Sequence, residues 1–178
     1  MTEPTLKTAA PQSRPQSGPA ALNGILLLVG QMNYAWTNTE SLLIHLIAGL
    51  ADVDKEVATV IFLTLNTTRA RLDLVERLSK LDRADEICRR DVLAVTRKFS
   101  RVSKIRNKYN HCIYSFDPAS EDTSTIQMRI FDDKTSIRFG KNEKIGRNEL
   151  QKVRTTIDDI ETMNLEIWSV IQRHGFPI

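Results

Sequence analysis

A chain of 178 residues, 41% hydrophobic and 26% charged, has room for one substantial core, so a single globular domain over residues 20–178 is expected. Its 25 basic and 22 acidic residues leave a net charge of only +3, which excludes a histone-like polycation. Two cysteines are too few for a disulfide framework and point to a reducing, cytoplasmic compartment.

Residues 1–19 hold four of the six prolines among Thr, Ser, Gln and Ala, and they read as a disordered leader. The apolar run from Ala20 to Gly30 is too short to span a bilayer and lacks a basic start or a cleavage site, so no membrane segment is expected. From Ala21 to Leu50, Leu28, Met32, Trp36, Leu43, Leu46, Ile47 and Leu50 mark one long helix with Trp36 in its core face. Glu40 falls one turn after Trp36, on the inward-leaning side, where an unpaired carboxylate is costly. His45 reads as a surface or half-buried histidine without a role.

Asp54 is placed to cap a second helix, running to Leu81 through Val57, Ile61, Leu65, Leu72, Val75 and Leu78. Asn66-Thr67-Thr68-Arg69-Ala70-Arg71 interrupts its apolar seam. Arg71 and Glu40, both polar within apolar patterns, are candidates to meet across the bundle.

A third helical pattern covers residues 88–113. Cys88, Val92, Val95, Phe99, Val102, Ile105, Tyr109 and Cys112 form its core face, and Arg97, Arg101, Lys104 and Lys108 form a basic stripe turned away from it. On one helix the two cysteines would stand roughly 36 Å apart, too far to bridge. Residues 97–108 carry six basic side chains and no acidic one, so the rest of the chain sums to −3 and positive charge is concentrated here. Such a stripe attracts a polyanion. Arg106 and His111 follow in the same stretch, with Asn107 between them. On a regular helix they would be splayed by about 140°. Either the helix ends before His111 and the chain swings it back, or a second copy completes the site; the second is preferred.

Arg106-Asn107-Lys108-Tyr109-Asn110-His111, at the end of the third long helix of a small α-helical chain, resembles the Arg-x4-6-His motif of the HEPN superfamily. That resemblance implies a helical bundle, a homodimer with motif residues facing each other across a cleft, and metal-independent cleavage of RNA. It further implies a toxin, defence or stress effector, with an antitoxin protein as a possible partner. Many HEPN proteins carry an acidic residue in their first helix, which would give Glu40 a supporting role near the site. The chemistry suits the residue types. Histidine titrates near neutrality, so His111 can take the ribose 2′-OH proton or protonate the 5′-oxygen. The planar, permanently charged fork of Arg106 matches phosphate oxygens, and Asn107 can orient the imidazole or hold one of those oxygens. Ile113 stands where some toxins of the superfamily carry a tyrosine modified by a partner nucleotidyltransferase, and Tyr114 comes one residue later, so that regulation is not expected.

Residues 115–122 read as an acidic loop. Thr125 to Phe131 and Ser136 to Phe139 alternate as a β-hairpin about Asp132-Asp133-Lys134, with Arg129 and Arg138 on its polar sides. A two-stranded hairpin must pack on the bundle or pair across a dimer. A last helix, from a capping box at Asn148 and Gln151 to Arg173, has the seam Leu150, Val153, Ile157, Ile160, Asn164, Ile167 and Ile171, with Asn164 its one polar member. The expected architecture is therefore mainly all-α: an up-and-down bundle of about four long helices with a small hairpin before the last.

No glycine-rich phosphate loop, Ser-His-Asp set or Cys/His metal cluster is found in the sequence, so no cofactor or metal is expected. The expected function is an endoribonuclease with Arg106 and His111 catalytic, Asn107 supporting, and Arg97, Arg101, Lys104 and Lys108 guiding the RNA. The rival is a non-catalytic dimeric interaction or RNA-binding module on the same bundle. A DNA-binding regulator is a weaker third reading, since no helix-turn-helix pattern is present.

Overall fold

The structure is a computed structural model that describes residues 20–178 apart from residues 118 and 121; the expected leader lies outside the described residues. The helices are α1 (Ala20–Ser41), α2 (Leu43–Ala51), α3 (Lys55–Thr64), α4 (Thr68–Leu78), α5 (Glu86–Asn110) and α6 (Arg147–Arg173). Between α5 and α6 run β1 (Cys112–Asp117), β2 (Asp122–Gln127), β3 (Ile130–Asp132), β4 (Ile137–Phe139) and β5 (Asn142–Lys144). The chain is thus mainly helical with a small antiparallel sheet, in which β2 lies between β1 and β5. β3 and β4 pair only with each other, as a separate ribbon. Among the described residues no helix is long and apolar enough to cross a membrane.

The first two expected helices are each divided. At Leu42 the backbone N–H bonds to the Thr39 carbonyl three residues back, at 3.2 Å, and the Ser41 hydroxyl donates to the Asn38 carbonyl at 2.7 Å. Ser41 thereby competes for a helix carbonyl and tightens the turn between α1 and α2. The second break falls at the polar interruption, where Thr67 Oγ1 accepts from Ala70 N at 3.1 Å and caps α4. This break frees α3 from the seam of α4. Ala58 and Phe62 are buried there, whereas Val57 is exposed and Ile61 is only partly buried. Asp54 caps α3 as expected, accepting from Val57 N at 2.8 Å.

α5 carries the core face read from sequence as far as Tyr109, with Phe99 edge-on to Trp36 of α1 at 5.3 Å between ring centroids. Ile105 departs from that face and is exposed. Cys112 is not helical at all; it opens β1, and both cysteines are free thiols. α6 lies against α1 and α5. Its expected capping box does not form: the helix starts after Gly146, without a side-chain cap, which places Asn148 inside the first turn. Val153, Thr156, Ile160, Met163, Ile167, Val170 and Ile171 are its buried residues. Asn164 is half-buried and donates to Thr39 Oγ1 at 3.1 Å, tying α6 to α1.

The expected acidic loop is largely strand. Asp117 and Asp122 face each other at the ends of β1 and β2, and Asp117 holds the turn by accepting from Ala119 N at 3.0 Å. Thr123 and Thr125 are buried on β2, and the strand expected from Thr125 begins there, but Thr125 to Gln127 lie beside β1 and β5 rather than opposite residues 136–139. The chain turns back between β3 and β4, but Asp132 belongs to β3 and the turn runs from Asp133 to Ser136, and the expected first arm is broken. Arg129 N bonds to the Gln127 carbonyl at 2.8 Å, a tight turn that carries the chain from the sheet into the ribbon. Gly140 is required at that crossing, since a Cβ there would stand 1.7 Å from the Gln127 carbonyl oxygen. His45 is buried, against expectation: its Nδ1 donates to the Pro177 carbonyl at 2.7 Å. Gly49 makes room beside it for the C-terminal segment, because a Cβ would overlap the Phe176 ring at 2.0 Å.

Candidate functional site

α5 ends at Asn110, so His111 is the first residue beyond the helix, its N–H bonded to the Asn107 carbonyl at 3.1 Å. This meets one condition of the first alternative, that the helix ends before His111. With the helix ended, Arg106, Asn107 and His111 line one cleft of about 690 Å³ between the start of α4 and the end of α5. Thr67, Thr68 and Lys104 line it as well, together with Asp73 and Glu76, so the cleft is not uniformly basic. The His111 side chain is exposed and has no hydrogen-bond partner among the described residues.

Arg106 is half-buried and held on several sides. Its Nε donates to Asn33 Oδ1 at 3.3 Å, and its Nη1 donates to Asn107 Oδ1 at 3.1 Å. The guanidinium carbon stands 5.5 Å from the centroid of the Trp36 ring. The amides of Asn33 and Asn110 pair with each other at 2.7 and 2.8 Å, and turning the Asn110 amide over places its oxygen 2.9 Å from Arg106 Nε. In either orientation the guanidinium ends on neutral amide oxygens. Burial pushes its pKa below the ordinary arginine value, and the Glu40 charge opposes that shift. Among the described residues Asn107 Oδ1 thus contacts Arg106 and not the imidazole.

Glu40 lies behind this cluster. It accepts from Trp36 Nε1 at 3.1 Å and from Thr68 Oγ1 at 2.6 Å, and it forms an ion pair with Arg71 Nη1 at 3.1 Å. Both partners of that pair are largely buried, with side chains 12% and 16% exposed. The meeting of Glu40 with Arg71 was legible in sequence; the part played by Thr68, which also lines the cleft, was not. Arg71 lies 4.0 Å over the Phe62 ring and donates through Nε to the Phe62 carbonyl at 3.1 Å, fixing α4 to α3.

The basic stripe is shorter than expected. Arg97, Arg101 and Lys104 are exposed. Lys98 is paired with Glu166, and Lys108 is paired with Glu143 at 2.5 Å and Glu149 at 3.5 Å, which offsets its charge. Sequence reasoning missed Asn33 and Asn110. Asn33 carried a signal, a polar residue three before Trp36 in an apolar helix; Asn110 carried none beyond its place within the motif, next to His111.

A second pocket, of about 490 Å³, lies on the other side of His111, between the end of α5 and the base of the ribbon, and is shared with Lys104, Lys108, Met128 and Arg129. A larger groove of about 960 Å³ runs between α1 and α6, but its walls include the exposed Leu27, Tyr34 and Leu165 and no residue of the motif. Among the described residues no group of three His, Cys, Asp or Glu side chains is arranged to hold a metal ion. Compared with known proteins, the chain matches no family model, no curated sequence and no solved structure.

Proposed function

We propose that the chain is a metal-independent endoribonuclease of the HEPN kind, acting on RNA as a homodimer in the cytoplasm. In this reading α1–α2, α3–α4, α5 and α6 are the four segments of that superfamily's up-and-down bundle. The observation that supports it is the convergence on one cleft of Arg106 and an exposed His111 whose side chain has no partner among the described residues. Arg106 binds the non-bridging oxygens of the scissile phosphate and stabilises the charge that grows on them during attack. The neutral His111 imidazole takes the proton from the ribose 2′-OH, and the freed oxygen attacks phosphorus. The bond from phosphorus to the 5′-oxygen then breaks as that oxygen gains a proton, leaving a 2′,3′-cyclic phosphate and a 5′-OH. One protomer offers one histidine at the cleft, whereas the reaction needs both a base and an acid. His111 of the partner subunit is proposed as the second group.

The test is incubation of the purified protein with labelled single-stranded RNA in EDTA, beside His111→Ala, with analysis of product ends. Fragments ending in a 2′,3′-cyclic phosphate, absent with the variant, are the expected result. Intact RNA across varied sequences with the wild-type protein sinks the proposal. An antitoxin, if the chain is a toxin, would be sought as a protein that suppresses this cleavage.

A second reading has its own observation. Arg106 is satisfied by amide oxygens within the protomer, as a packing arginine would be. In that reading the chain is a non-catalytic RNA-binding or interaction module, RNA stays intact, and affinity survives His111→Ala.

A further inference from the structure

The ribbon of β3 and β4 stands out from the rest of the chain in its exposure. Every described side chain from Met128 to Arg138 is exposed. Side chains of directly opposed residues lie on the same side of an antiparallel pair, and alternate residues lie on opposite sides. Ile130, Asp132 and Ile137 therefore share one face, while Phe131 and its cross-strand neighbour Arg138 share the other. The Arg129 guanidinium carbon lies 5.0 Å from the centroid of the Phe131 ring, a cation–π contact on that second face. The same Arg129 lines the 490 Å³ pocket beside His111, Lys104 and Lys108, and Met128 N bonds to the His111 carbonyl at 3.3 Å. An exposed aromatic, two arginines and the candidate catalytic histidine are thus continuous. Asp133 in the turn accepts from Thr135 N at 3.0 Å and Ser136 N at 2.9 Å and stands 3.8 Å from Arg138 Nη2, so it partly offsets Arg138, whereas Arg129 has no carboxylate partner among the described residues.

We propose that this pocket and the Arg129–Phe131 face of the ribbon form a stacking subsite for one unpaired base of a single-stranded RNA, beside the phosphate held at Arg106 and His111. The proposal deepens the nuclease reading and takes its RNA substrate from it. The side chains are those that single-strand binding uses. An aromatic ring and a guanidinium plane both stack on a base without regard to sequence, and a cation beside them meets the backbone. A base within a duplex is covered on both faces by its neighbours and cannot reach such a platform. The subsite therefore selects unpaired over paired RNA, with weak preference among bases.

The experiment uses the full-length His111→Ala protein, which keeps the RNA whole, and a fluorescein-labelled 12-nucleotide RNA, single-stranded or annealed to its complement. Fluorescence anisotropy compares it with His111→Ala proteins that also carry Phe131→Ala or Phe131→Tyr. Phe131→Ala is expected to weaken single-strand binding roughly tenfold, as loss of one stacked base does, with little change for the duplex. Phe131→Tyr, which keeps a ring, is expected to restore it. Equal losses on both RNAs, no loss on either, or no binding by the parent protein overturns the subsite. So does dissociation of a dimer by Phe131→Ala in sedimentation without RNA, which would make the ribbon a self-association element. Wild-type cleavage, measured separately, tells the two proposals apart. Cleavage with an unchanged KM in Phe131→Ala ends the subsite and leaves the nuclease. Selective loss of single-strand binding without cleavage by the wild-type protein ends the nuclease and leaves the subsite.

Discussion

Asn33 of α1 accepts a hydrogen bond from Arg106 Nε at 3.3 Å, across 73 positions of sequence, so the motif arginine is aimed by a helix that contains none of the motif. The contact joins a neutral amide to a guanidinium that burial already disfavours. Asn33→Ala is expected to lower the cleavage rate about tenfold while costing only about 1 kcal/mol of stability. Single-turnover cleavage and urea unfolding of the same preparation check both halves. A stability loss with an unchanged rate would make Asn33 a packing residue alone.

The Glu40–Arg71 ion pair holds α1 to α4 behind the same cluster, with hydrogen bonds from Trp36 and Thr68 completing the carboxylate's shell. Removing one partner leaves the other charge largely buried, a change that costs about 3–5 kcal/mol in comparable settings. Glu40→Ala is expected to lose about that much, and Glu40/Arg71 double alanine to lose less than the sum of the singles. A double-mutant cycle by urea unfolding with coupling near zero would show the pair to be incidental.

Periodicity is a local signal, and it found the parts of this fold that local signals determine. The core face of α5 from Cys88 to Tyr109, the cap at Asp54 and the position of Trp36 follow from helical spacing and side-chain chemistry. The sheet followed only in part: alternation marked a strand from Thr125, but the pairing of β2 with β1 and β5 was not legible, because those cross-strand partners lie outside the local pattern. Of the site, Arg106, His111 and the Glu40–Arg71 contact were legible from residue type and pattern. The Asn33–Asn110 amide pair was not, since nothing in either segment names the other. The end of α5 decided how Arg106 and His111 share a cleft, and helix ends are where pattern reasoning is least sharp.

Glu149 gives a stability that depends on pH. Burial alone raises its carboxyl, but hydrogen bonds from Lys152 and Tyr109 and the charge of Lys108 overcome this and hold it at about 2, against 4.5 for an ordinary glutamate. A group whose pKa is lower in the folded state stabilises fully above its unfolded value and loses that contribution as pH falls through the folded one. The contribution, of order 2–3 kcal/mol, is thus expected in full above about pH 5 and gone near pH 2. Glu149→Gln should be less stable than wild type at pH 7, with the gap closing between pH 4.5 and 2 in thermal unfolding. A gap independent of pH would assign the loss to packing.

Arg101 and Lys108 belong to one stripe in sequence but differ in what surrounds their charges. Arg101 is exposed, whereas Lys108 is half-buried between Glu143 and Glu149. A cation free to neutralise a phosphate releases counterions when RNA binds, and each such contact adds about 0.7 to the slope of log affinity against log salt for a single strand. Arg101→Ala is expected to reduce that slope by about one contact and leave stability nearly unchanged. Lys108→Ala is expected to do the reverse, lowering stability by uncovering two carboxylates while the salt slope stays in place. Anisotropy titrations between low and moderate salt, paired with unfolding curves, separate the two. If Lys108→Ala changed the slope as much as Arg101→Ala, the lysine would have to leave its carboxylates for the RNA, and the two acidic side chains would then be part of the binding equilibrium.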